Sequence, residues 1–266
     1  DWHPGNAHIF PLLANSAFIV LSFTRLTVSF PALRGYVTSE IMNAVTTTKA
    51  SSSNLMKVTT LNHRNQSIKT ALAVNRELIK RFPENAGQRC MYSAYALAHL
   101  LREQDREATV LGGNFAIFAP SRDGKSAAFH GFGGSDEPGT ASHYWVESEG
   151  RLIAASTLLL HQTTDQAIVR LPIVYWPMIK KLPRYVRYAE TMRAHRDAEF
   201  STISEQRETA EAVIDGSRRR LSNKGIQTKS DVLDGPEYIV RAKAKSAWAK
   251  AAAEYEANLS YGQPPS

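Results

Sequence analysis

HYWVESEGRLIAAS, residues 143–156, reads as two short strands joined by a glycine turn, the second strand more apolar than the first. It sets a histidine, His143, at the head of the first strand. Before it, REATVLGGNFAIFAP at 106–120 reads as a further strand interrupted by Gly112 and Gly113, and SRDGK at 121–125 as a turn. The apolar stretch SAAFHGFGG at 126–134 then leads into a glycine-rich loop that runs through Gly139. An antiparallel sheet is expected for the middle of the chain.

Helices are expected ahead of this sheet. Ile68, Leu72, Leu78, Ile79 and Phe82 recur at roughly helical spacing, and Pro83 closes the element. PENAGQRCMYSAYALAHLLREQ, residues 83–104, then runs from a loop holding Asn85 and Gly87 into an amphipathic helix. Cys90, Ala94, Leu97, Ala98 and Leu101 fall on one stripe, which puts the cysteine in the first turn on the apolar face. Free N–H groups at a helix start favour a thiolate and can activate a cysteine there. The competing reading is a small buried hydrophobe, the commonest fate of a free cysteine.

A cysteine nucleophile needs a base that takes its proton and returns it to the leaving group, and imidazole titrates in the right range. His143 is the candidate partner for Cys90. His130 is its competitor, His99 lies within the helix, and His161 lies beyond the strand pair. The developing oxyanion needs donors, for which the Cys90 backbone N–H, the Gln88 amide and, less directly, Asn85 are candidates. Gln88 and Asn85 read equally as ordinary loop and cap residues.

A cysteine opening a helix, a strand ending near a Gly-Gly pair, then H-x-W-V-E, a turn and an apolar strand resemble the transglutaminase-like branch of the papain-like cysteine superfamily. More narrowly, the pattern is similar to small bacterial and phage domains of that branch, over roughly residues 61–185. The resemblance implies an α+β fold with the cysteine-bearing helix packed on an antiparallel sheet. It also implies Cys90 as nucleophile, His143 as base, and Trp145 and Val146 as packing residues. The family places an aspartate about a dozen residues after the histidine, where this chain reads Ile153, Ala154, Ala155, Ser156. Ala154 thus occupies the slot of the orienting carboxylate.

Three readings follow from that vacancy. Ser156 or a water substitutes weakly, Glu147 or Asp165 supplies the acid from another direction, or the domain is a non-catalytic relative. The implied activity is a cysteine-dependent hydrolase or acyltransferase acting on a peptide, protein, small amide or thioester, with no cofactor. The alternative is a catalytically degenerate papain-like binding domain.

The flanks and composition bound these readings. The expected organisation is an N-terminal extension over 1–60, a papain-like core over 61–190 and a mainly helical C-terminal extension over 191–266. The chain has 266 residues, 43% hydrophobic and 21% charged, which suits a globular protein and argues against disorder. A net charge of +7 is spread over both halves, with Arg218, Arg219 and Arg220 as the one undiluted basic run. A nucleic-acid accessory protein is therefore a third and weaker reading. One cysteine excludes an intrachain disulfide and a thiolate zinc site, so a reducing, cytoplasmic setting without metal is expected. IFPLLANSAFIVLSF at 9–23 is shorter than the about 20 residues a span requires. No membrane span is expected, and secretion through this stretch is the alternative. AVTTTKASSSN at 44–54 reads as a linker. Among the later residues, 190–215 read as polar and helical. YIVRAKAKSAWAKAAAEYEA reads as an Ala-rich helix docked through Ile239, Trp248 and Ala252.

Overall fold

Two helices precede the sheet, as their apolar spacing requires. Residues 61–81 form α1, which buries Ile68, Ala71, Leu72, Val74 and Leu78. A single 3-10 turn, Ala86–Gln88, leads into α2, Cys90–Arg102, whose stripe of Cys90, Ala94, Leu97, Ala98 and Leu101 is buried throughout. This computed structural model describes residues 61–132, 143–162, 167–194, 204–223 and 231–260, all of them within the unit formed by residues 53–266. The expectations that concern residues 1–60 and Asp165 lie outside the described residues.

The sheet is built around a long strand, β1, Thr109–Pro120. Along one edge it pairs antiparallel first with β3, His143–Ser148, and then with β2, Ala127–Phe132. Its other edge carries β6, Val186–Arg193, across Leu111–Ile117. The Gly-Gly interruption is a register shift between Gly112 and Gly113 in that ladder. A side chain at Gly113 would place its Cβ 2.0 Å from the Ala189 carbonyl oxygen, so the strands could not close up around any other residue. The sheet continues from β3 through β4, Arg151–Ala154, and β5, Ile173–Pro177, to β7, Val232–Leu233. Only the β5–β7 pairing is parallel among these.

The hairpin joining β3 to β4 fixes which side chains face where. Its two loop residues, Glu149 and Gly150, both take positive φ, 51° and 68°, the geometry that matches the twist of paired strands. Glycine adopts this freely, whereas Glu149 is held there by Arg106 at 2.6 Å and His63 at 3.2 Å. Ser148 then pairs with Arg151, Glu147 with Leu152 and Val146 with Ile153. Since cross-strand partners share a face, Trp145, Leu152 and Ala154 join one core, with Leu111, Phe115 and Trp176. Val146, Ile153 and Tyr175 join the other, against α1 and α2.

Both faces of the sheet are covered, and the C-terminal residues cover the first of them. Tyr238 and Ile239 of α4, Tyr238–Ala242, and Trp248, Ala249 and Ala252 of α5, Ala247–Ser260, belong to the Trp145 core. The Trp248 indole donates to the Phe118 carbonyl at 2.7 Å. An indole removes about 200 Å² from water, worth about 5 kcal/mol by transfer, so α5 is an integral layer of the body. The single helix expected over 238–257 is broken at Lys243–Ser246. Residues 190–193, expected to be helical, complete β6, because pairing with β1 outweighs their polar composition.

Behind α1 and α2 lies α3, Ser204–Ser222, with Ala210 and Val213 in a third apolar cluster. Glu77 of α1 is 2% exposed and receives Arg81 and Arg220, each at 2.9 Å. Arg218 pairs with Glu103 and Asp215. Two of the three arginines in the basic run are thereby engaged in internal ion pairs.

Candidate functional site

Cys90 begins α2, where Arg89 offers no side-chain cap to the free N–H groups. Its side chain is 8% exposed and abuts β3. Two influences act on the thiol. Burial raises its pKa, and hydrogen bonds from the backbone of Tyr144, Met91 and Cys90 itself oppose this by favouring the thiolate. Burial is the larger effect, so the pKa lies above its ordinary value.

The β3 residue on the cysteine side is Tyr144. It is packed against the α2 core, and its phenol titrates higher than usual through burial, with Tyr95 and Cys90 adding to the rise. His143, one residue earlier, is turned to the opposite face by the alternation of the strand. Its ring stacks on Phe115, with centroids 4.4 Å apart, and lies 6.3 Å from both Trp145 and Tyr188. His143 is fully buried, and that burial pushes its pKa down to about 3. The structure therefore does not bring imidazole and thiol together on one face. An activated thiolate–imidazolium pair requires a lowered thiol and a raised imidazole, and here both shifts have the other sign.

The remaining expected residues are dispersed. Ala154 is buried on the Trp145 side of the sheet, the same side as His143. Glu147 shares that side but accepts Arg193 Nη1 at 2.7 Å, at the far end of β3 from His143. Ser156 begins the 3-10 segment Ser156–Gln162 and is buried. Gln88 is exposed, and the Asn85 side-chain oxygen accepts from Arg89 at 3.3 Å. His130 is on β2 opposite Ile117, His99 pairs with Glu103 at 3.1 Å, and His161 Nδ1 lies 2.9 Å from the Leu158 carbonyl. Among the described residues no group of histidine, cysteine and carboxylates could hold a metal ion.

Two buried or half-buried residues lay outside the expectation. Tyr144 follows from strand parity once Val146 is assigned to the helix side. Asn75 of α1, buried, donates its amide to the Ala155 carbonyl at 2.8 Å and ties the first helix to the end of β4. An asparagine on the apolar stripe of α1, between Leu72 and Leu78, was the available signal. No protein-family model matches the chain, and no curated protein or solved structure matches it.

Proposed function

We propose that this chain is a non-catalytic binding domain on a degenerate papain-like, transglutaminase-like core. The observation that carries this reading is the parity of β3: Tyr144 accompanies Cys90 on one face of the sheet, and His143 stacks on Phe115 on the other. The alanine at position 154 agrees with it, since the slot for an orienting carboxylate holds a methyl group buried in the core. Cys90 then serves as a small apolar residue at a helix start. Its backbone surroundings are the inherited feature that favours the rival reading, a cysteine hydrolase or acyltransferase. Those hydrogen bonds would stabilise a thiolate if the site opened.

Iodoacetamide alkylation separates the two. The binding-domain reading expects Cys90 to label slowly in the folded protein and readily in denaturant, with His143→Phe leaving the folded-state rate unchanged. Rapid labelling of the folded protein with an apparent pKa below about 7, lost in His143→Phe, would restore the catalytic pair.

A further inference from the structure

The turn that follows β5 carries side chains for which the fold has no internal use. Tyr175 and Trp176 are buried, but Met178 and Ile179 are 40% and 94% exposed. The turn is nonetheless firmly held. Met178 N–H donates to the Gly150 carbonyl at 3.0 Å and Lys180 N–H to the Pro177 carbonyl at 2.9 Å. The Trp176 indole donates to the Lys180 carbonyl at 3.0 Å. Ile179 is thus presented at the apex of a pinned backbone, and Lys180 and Lys181 follow it, both exposed. On the adjoining hairpin, Arg151 lies opposite Pro177, with its guanidinium 5.4 Å from the Tyr175 ring centroid. The acids of that hairpin are both engaged, Glu149 by Arg106 and His63 and Glu147 by Arg193.

We propose that this tip docks on an anionic membrane surface, with Met178 and Ile179 entering the boundary between headgroups and acyl chains and Lys180 and Lys181 meeting acidic headgroups. Charge complementarity selects this occupant, since the chain carries a net +7 and the apolar apex is followed directly by two exposed lysines. Lysine is depleted at protein–protein interfaces, whereas near an anionic leaflet each basic residue strengthens binding about fivefold. Long lysine stems also let the ammonium stay in the headgroup layer while the apex sinks past it. The inference is independent of whether Cys90 reacts.

The test is co-sedimentation of the full chain with phosphatidylcholine vesicles, with and without phosphatidylserine. Binding is expected only with phosphatidylserine and should weaken as salt rises. Lys180→Gln/Lys181→Gln should bind about 25-fold more weakly, and Ile179→Ser about tenfold. Ile179 makes so little internal contact that the serine variant should keep the parent's melting temperature, which separates lost binding from lost folding. No binding to the anionic vesicles, equal binding to neutral ones, or full binding by both variants would overturn the proposal. The first of these outcomes would leave the tip to a protein partner.

Discussion

Replacing His143 by phenylalanine should remove a pH dependence from folding, and the sign of that dependence distinguishes a core histidine from a catalytic one. The ring lies fully buried, stacked on Phe115 and beside Trp145 and Tyr188. Burial pushes its pKa from 6.5 to about 3. Between these values the unfolded chain holds a proton on this imidazole that the folded protein does not. Stability from this group is therefore complete above about pH 6.5 and falls as pH decreases toward 3. Each unit within the window is worth about 1.4 kcal/mol, so lowering the pH from 7 to 5 should cost about 2 kcal/mol through His143 alone.

Phenylalanine keeps a ring in the stack and cannot titrate. Urea unfolding followed by tryptophan fluorescence, at pH 7 and pH 5, should show the parent losing about 2 kcal/mol more than His143→Phe across the interval. Contributions from carboxylates are shared by both proteins and cancel in the comparison. Equal losses to within about 0.5 kcal/mol would refute the reasoning, because additivity at independent sites holds to that precision. A parent more resistant than the variant at pH 5 would refute it more strongly. An imidazole paired with a thiolate would have its pKa raised, and its stabilising contribution would persist at low pH and fade as pH rises.

Gly216→Ala should destabilise the protein by about 2 kcal/mol in urea unfolding, despite the about 1 kcal/mol that alanine gains in helix propensity. The new Cβ would stand 2.2 Å from Glu77 Cδ, in a side chain clamped by Arg81 and Arg220, and in a Glu77→Ala background the same substitution should cost nothing. Ala154→Asp should cost about 3 kcal/mol by burying a carboxylate and should leave alkylation of folded Cys90 unchanged, because position 154 faces the Trp145 core. Faster alkylation at slightly acidic pH in that variant would return Ala154 to the role of a lost third catalytic residue.

The elements that the sequence made legible are those whose signals are local. Cys90, Ala94, Leu97, Ala98 and Leu101 declare α2 by spacing alone, and all five are buried. The glycine turn between HYWVE and RLIAAS marks a hairpin, which the structure closes over Glu149 and Gly150, and Gly112 and Gly113 mark the irregularity in β1. Features set by distant partners were not legible. Glu190, Thr191, Met192 and Arg193 are polar enough for an exposed helix, yet β1 offers them a ladder and an edge strand tolerates their exposure. The break at Lys243–Ser246 lies in an Ala-rich run with good helix propensity. There the packing of Tyr238 and Ile239 on one side and Trp248 on the other outweighs the local preference.

The candidate site depends on a subtler ambiguity, the parity of one strand. Period two places His143, Trp145 and Glu147 together and leaves open which face the cysteine helix covers. Polarity normally resolves this, because a half-exposed strand carries its apolar residues on the core side. Here Trp145 and Val146 are both buried, as are Leu152 and Ile153, since α5 covers one face and α1 and α2 the other. With both faces apolar the alternation carries no direction. To put His143 beside Cys90, β3 would have to slip by one residue, which would turn Trp145 toward α2 and Val146 toward the Phe115 side. The Glu149–Gly150 turn and the Val146–Ile153 pairing hold the strand against that slip. The α5 layer therefore makes the second face of β3 a core and decides the surroundings in which His143 lies. With Trp248 and its neighbours making that face a core, the imidazole there is a packing residue, kept neutral by its burial and on the far side of the sheet from the thiol.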